Sequence, residues 1–216
     1  MPALLAGAGI AAVGIIGAGL MAPPKPVANV VRPSEGAATA PVVVAEYSDY
    51  QCDYCGRWAR QVEASFRSSF IDTGRVRFEW HDYAWEGQES LDAANAARCA
   101  GDQGQFWPMH DLLYQSQNAT PNTGAFTKDQ LKSLGAGLGL DASRFDACVD
   151  EGTYLDAIRQ DSATSQRAVG SGTPAFIIGG RLYAGYQTMD QLTAAVQSAE
   201  AGASPAALVP GLTAVP

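Results

Sequence analysis

Positive charge is scarce in this chain of 216 residues: 14 Lys and Arg stand against 22 Asp and Glu, for a net charge of −8. No basic run with interleaved aromatics is present. A polyanion partner such as nucleic acid is therefore excluded, because such binding is driven by Lys and Arg displacing counterions. Histidine is rarer still, with His81 and His110 alone, neither spaced as a ligand beside a cysteine pair. Cysteine is limited to Cys52, Cys55, Cys99 and Cys148. An even count of four suits a disulfide-permissive compartment and allows three pairings. Charged side chains are missing from Met1 to Pro24, and no internal repeat is visible.

What is present reads as globular. Apolar residues make up 47% and charged residues 17%, a balance that excludes general disorder. Setting aside an apolar leader (residues 1–22), a Pro/Gly/Ser-rich linker (23–40) and a loose tail (201–216) leaves one domain over 41–200. The leader is just long enough to cross a hydrocarbon core as a helix. It lacks the basic start of a secretory signal, so a retained anchor is preferred to a cleaved peptide, although Lys25 and Arg32 follow it against the positive-inside trend. Either form implies export. Two G-x-G-x-x-A stretches, beginning at Gly7 and Gly17, lack the preceding strand and following helix of a dinucleotide site.

Pro41 to Ala45 is a short β-branched run, a buried strand. Trp58, Val62, Phe66 and Phe70 recur every four residues as one helix stripe, with Gly74 as its C-cap. Val76, Phe78 and Trp80 alternate with charges as a second strand. Residues 86–168 turn helical, with caps at Thr127 and Asp141. Ala175 to Ile178, Gly179-Gly180 and Arg181 to Ala184 form a hairpin, and a capping box at Thr188 opens a last helix. The order is an α/β arrangement with a helical insertion.

The chemistry concentrates at Cys52 and Cys55. Cys52 follows a strand and opens a helix, whose N-terminus carries a partial positive charge and free N–H groups. Both favour the thiolate, which is the attacking species. Two intervening residues put Cys55 within disulfide reach but a turn deeper. Cys52 is then the exposed nucleophile and Cys55 the thiol that resolves a mixed disulfide. Zinc is the competing reading, but it needs four ligands and neither Cys99 and Cys148 nor the histidines supply a second pair at the right spacing. Cys99 and Cys148 read as a long-range staple, with a second redox relay or two free thiols as alternatives. His110 reads as a packed residue, His81 as a strand end able to line a groove, Trp80, Trp85 and Trp107 as packing, and Asp49 and Asp82 as solvated loop charges.

Glu46-Tyr47-Ser48-Asp49-Tyr50-Gln51-Cys52-Asp53-Tyr54-Cys55, followed by Trp58, resembles the active-site strand and helix of the DsbA-like thiol–disulfide oxidoreductases. Thr173-Pro174 resembles that family's cis-proline loop, and the stretch from Ala96 to Tyr114 its helical insertion. The resemblance implies a thioredoxin-like fold with an inserted α-helical subdomain. It implies Cys52 as nucleophile, Cys55 as resolving cysteine, a cis bond at Thr173–Pro174 whose backbone faces the sulfurs, and Glu46 as a buried acid handling the Cys55 proton. Asp53-Tyr54 departs from the histidine-containing dipeptide of the strongest oxidants. Asp53 should oppose thiolate formation, placing the reduction potential between about −270 and −120 mV.

The function expected is therefore an extracytoplasmic enzyme, anchored by its leader or secreted, that introduces disulfides into exported proteins. The resemblance implies unfolded exported proteins as substrates and a quinone-linked membrane oxidoreductase for reoxidation. No cofactor or metal is expected, and the chain should be a monomer, since no dimerisation module is visible. A disulfide reductase or isomerase on the same fold is the first alternative, and a zinc-stabilised binding module without turnover the second.

Overall fold

The computed structural model describes residues 32–202. The leader, half of the expected linker and nearly all of the expected tail lie outside the described residues.

The strand expected from the β-branched run is longer than that run, Val42–Ser48 (β2). It is preceded by a two-residue strand, Ser34–Glu35 (β1). β1 falls inside the segment expected to be linker, which is corrected here: Ser34 and Glu35 pair antiparallel with Glu79 and Phe78. Two residues carry no periodicity, so pairing with the neighbouring strand, not propensity, makes this strand.

The first helix starts as Asp53–Trp58 and continues through wider π turns at Ala59–Glu63 and Arg67–Ile71, flanking Ala64–Phe66; the run is called α1. A strict four-residue stripe overshoots the 3.6 residues of an α-turn. Wider turns hold more residues each and keep Trp58, Val62, Phe66 and Phe70 on the sheet, where all are buried. Gly74, at φ +74°, closes α1. Its N–H bonds to the Ile71 carbonyl and that of Arg75 to the Phe70 carbonyl, the paired bonds of a Schellman cap.

β3 follows at Val76–Asp82, parallel to β2 with Glu46 opposite Trp80. The helical block is α2 (Gln88–Gly101), α3 (Phe106–Gln115), α4 (Lys128–Gly137), α5 (Ala142–Glu151) and α6 (Leu155–Val169). Thr127 and Asp141 cap α4 and α5 by accepting from the backbone N–H groups of Gln130 and Arg144. β4 (Ala175–Ile178) and β5 (Arg181–Ala184) form the hairpin, turned by Gly179 and Gly180 at positive φ. α7 (Met189–Glu200) opens on a complete Thr188/Gln191 capping box.

The sheet order is β1-β3-β2-β4-β5, so β2 lies at its centre. Successive strand residues face opposite sides. Val42, Val44, Glu46 and Ser48 therefore share the face under α1, while Ala45 and Tyr47 face the other way. Val42 and Val44 pack with Trp58, Phe66, Phe78 and Phe176 in one core, and Ala45 and Tyr47 with Tyr83 and Val169 in another. The insertion helices carry a third core that reaches Tyr50, Trp80 and both active-site cysteines. Cys99 of α2 and Cys148 of α5 are joined by a disulfide with Cα atoms 5.9 Å apart.

Candidate active site

Cys52 is the N-cap residue of α1, in extended conformation, and Cys55 sits one turn inside. Both are free thiols and both are buried, Cys52 at 6% exposure and Cys55 at 0%. The expected exposed nucleophile is thus corrected: the rim of the cis-proline loop and the insertion cover Cys52. Its Sγ lies 3.3 Å from the Thr173 carbonyl oxygen, and the Thr173–Pro174 peptide bond is cis.

The two sulfurs occupy opposite electrostatic settings. The hydrogen bond with Cys55 acts most strongly on Cys52; burial opposes it, and Thr173 and the backbone N–H groups of Tyr54 and Cys55 reinforce it. Together they bring the Cys52 thiol down from 9.0 to about 7. Burial pushes the Cys55 thiol well above the ordinary value, and its bond to Cys52 and the Cys52 charge push it the same way. One sulfur is held ready to attack and the other is held protonated, as sequential exchange chemistry requires.

Glu46 is fully buried on the α1 face of β2. Burial, then the charge of Glu63, pushes its carboxyl well above the ordinary range, against Ser48 and Arg67. Ser48 donates a short hydrogen bond to Glu46 Oε1. Glu63 is a buried carboxylate of α1 that the sequence reading passed over. Burial pushes it up, but His110 and Arg67 outweigh this and hold it low. His110 is fully buried, as a packed residue should be, and it bridges Glu63 Oε2 and the Tyr50 hydroxyl, both at 3.2 Å.

Asp49 and Asp82, expected as solvated loop charges, are both buried at 1% exposure and are corrected. The Asp49 carboxylate accepts from the backbone N–H groups of Gln51, Trp85 and Glu86 and so ties the active-site turn to the loop after β3. Asp82 accepts from Trp80 Nε1 and from Arg98, fastening β3 to α2. Trp85, expected as packing, is also corrected: it is 53% exposed and its Nε1 donates to the Thr173 hydroxyl at 3.2 Å. Tyr54, between the two cysteines, is equally open at 55%, and the Arg57 guanidinium lies over its ring, 4.4 Å from the centroid. His81 does not line this groove; its ring lies tilted against Tyr47, centroids 4.4 Å apart, on the opposite face of the sheet. Asp53 is met by Arg57 at 2.5 Å, which offsets the opposition to the thiolate expected of it. Gln117 donates to the carbonyls of Tyr50 and Cys52, fixing the turn from the insertion side.

Comparison with known proteins agrees with this fold. The family profile described as Thioredoxin matches residues 29–198. A Bacillus anthracis protein named probable disulfide bond formation protein D is 28% identical over 152 residues, 69% of this chain and 70% of its own length. The oxidised BdbD structure from Bacillus subtilis superposes with TM-score 0.73 at 24% identity, covering 79% of this chain and 94% of that one. A Salinispora arenicola protein named Na(+)/H(+) antiporter NhaA 1 is 36% identical over 191 residues, which is 85% of this chain but only 26% of that protein. The chain thus spans about a quarter of the length of the antiporter-named relatives it matches.

Proposed function

The chain belongs to the thioredoxin family and has the fold of its DsbA-like members, and from that premise we propose that it introduces disulfides into exported proteins through Cys52 and Cys55. The observation that carries the exchange chemistry, in either direction, is the lowered Cys52 thiol at the start of α1, beside a buried Cys55 whose own proton is held. In the oxidising direction a substrate thiolate attacks Cys52 of the Cys52–Cys55 disulfide, and Cys55 leaves. A second substrate thiol then attacks the substrate sulfur of the mixed disulfide, and Cys52 leaves as thiolate. Stabilising that thiolate stabilises the reduced enzyme, which makes the disulfide a better oxidant.

Thr173 and Pro174 border the sulfurs. The carbonyl and N–H of Thr173 offer a substrate strand a place to pair by β-augmentation, beside the exposed Trp85 ring that donates to the Thr173 hydroxyl. The name of the Bacillus anthracis relative favours disulfide formation. The Cys99–Cys148 bond fits an oxidising compartment, as does the periplasmic thioredoxin-like protein of Salmonella enterica, a structural neighbour with TM-score 0.59. Reoxidation by a quinone-linked membrane protein, and anchoring or secretion through residues 1–22, complete the proposal. Among the described residues no helix is long and apolar enough to cross a membrane. We take the redox domain to be the part shared with the antiporter-named relatives. The Cys99–Cys148 bond removes two of the four thiols a zinc site would need, which counts against the binding-module alternative.

One observation favours a reductase or isomerase instead. A Cys52 thiol at about 7 matches the value of about 7 found for thioredoxin's attacking cysteine, far above the ~3.5 of the strongest oxidant. Equilibrating the Cys52–Cys55 pair in glutathione redox buffer separates the two. A potential above about −200 mV is expected for the oxidant, and one near −270 mV would assign the reductive role.

A further inference from the structure

Among the described residues three large apolar side chains are exposed: Val43, Tyr54 and Trp85. Trp58 and Trp80 are fully buried, as tryptophan tends to be, so the open indole of Trp85 needs a reason. Its loop is pinned at three points. The Asp49 carboxylate accepts from the backbone N–H groups of Trp85 and Glu86, at 2.7 and 3.0 Å. The indole Nε1 donates to the Thr173 hydroxyl at 3.2 Å. Tyr83, whose own hydroxyl donates to the Gly170 carbonyl, lies beside the indole with ring centroids 6.4 Å apart. The same Thr173 holds its carbonyl oxygen 3.3 Å from Cys52 Sγ. One residue therefore joins the open indole to the attacking sulfur.

We propose that Trp85 selects substrates by receiving a large apolar or aromatic side chain next to the substrate cysteine, a role that rests on the thiol–disulfide reading above. A substrate strand that pairs with the Thr173 backbone brings its cysteine to Cys52 and a neighbouring residue opposite Thr173. Side chains directly opposite on paired strands touch, and aromatic ones also reach their diagonal neighbours. An indole bonded to the Thr173 side chain lies within that reach.

The chemistry of the ring sets the class of side chain it takes. Its one polar group, Nε1–H, is already bonded to Thr173, so the ring offers π face and apolar edge. Other rings stack on such a surface. Because its loop is pinned, the indole loses little freedom on binding, which suits tryptophan to the role of interface anchor. Tyr54 is less suited, since the Arg57 guanidinium already lies over its ring. The consequence is a bias toward chains that have not yet folded. Phe and Leu are open to contact in an unfolded chain and mostly withdrawn in a finished one.

The test is the rate at which single-cysteine peptides in excess reduce the Cys52–Cys55 disulfide of the full chain. One peptide thiolate attacks Cys52 and Cys55 leaves. A second peptide thiolate attacks the peptide sulfur of the mixed disulfide, which yields a peptide disulfide and the reduced protein. The peptides differ only in the residue before or after the cysteine, which is Phe, Leu, Lys or Gly. Each rate is divided by that peptide's rate with hydroxyethyl disulfide, so that intrinsic thiol reactivity cancels. At one flank Phe should exceed Gly by about tenfold, with Leu between them. In Trp85→Ala the Phe-to-Gly ratio should fall to within about twofold of one. Comparing peptides within one protein cancels any general loss of activity, so a merely structural role would leave the ratio unmoved. Trp85→Phe, which keeps a ring and loses the donor, should retain most of the preference. Equal loss in Trp85→Phe and Trp85→Ala would trace the effect to the Nε1 donor and overturn the stacking role. A wild-type ratio near one, a wild-type preference for Lys over Phe, or an undiminished ratio in Trp85→Ala overturns the assignment while leaving the exchange reading intact. Failure of every peptide to reduce the wild-type disulfide overturns the exchange reading, and the assignment with it.

Discussion

Cys55→Ser should convert the protein into a trap that accumulates mixed disulfides with its substrates, visible as high-mass species on non-reducing gels. Cys52→Ser should neither capture nor exchange. The asymmetry follows from the two thiols. At pH 7 a thiol ionising near 9 is about 1% thiolate and one ionising near 7 is about half, a gain of about 50-fold in attacking species. The lower basicity gives back roughly 10-fold through the Brønsted slope of about 0.4–0.5, leaving a net gain of about five-fold for Cys52. Cys55 is fully buried, so its advantage lies in position and not in ionisation. Well-oriented intramolecular groups reach effective molarities of about 10⁵ M or more. Even a small fraction of that outweighs millimolar external thiol, so the mixed-disulfide lifetime in Cys55→Ser should lengthen by at least ~10³-fold. Equal trapping by Cys52→Ser would reverse the assignment of the two roles.

Replacing Cys99 and Cys148 together by alanine should cost stability without changing the redox chemistry. The bond spans a sequence separation of 49, and chain entropy for such a loop gives about 4 kcal/mol. That is a large share of the 5–15 kcal/mol typical of a domain. The bond fastens α2 to α5 inside the core of the insertion, so urea unfolding should shift to a much lower midpoint. The Cys52–Cys55 potential, measured below that midpoint, should be unchanged. A shifted potential with unchanged stability would instead mark Cys99–Cys148 as a second redox relay.

Legibility in the sequence followed the range of the interactions involved. The active-site helix was readable because its stripe is local and repeats: Trp58, Val62, Phe66 and Phe70 are all buried. The hairpin was readable because Gly179-Gly180 can take the positive φ that its turn requires. Asp49 and Asp82 were misread because their partners are remote. Asp49 is held by Trp85 and Glu86, and Asp82 by Arg98 and, through its backbone N–H, by Asp161. A lone aspartate near a turn looks solvated until those partners arrive. Trp85 was misread for the opposite reason, since bulk alone argues for burial and only the folded loop shows its ring open to solvent. Ser48 and Glu63 carried no signal as single residues. The alternation from Val42 through Val44 and Glu46 was the one local cue that could have placed Ser48 beside Glu46 on the face that α1 covers. β1 was invisible because two residues hold no pattern of their own.

Thiolate absorbance of the reduced protein, titrated from pH 4 to 11 beside the Cys52→Ser and Cys55→Ser variants, reaches the root of the mechanism. One thiol, lost in Cys52→Ser, should ionise near 7, and the other should stay protonated to well above 9. Two thiols ionising together at the ordinary value would contradict the division of labour between Cys52 and Cys55.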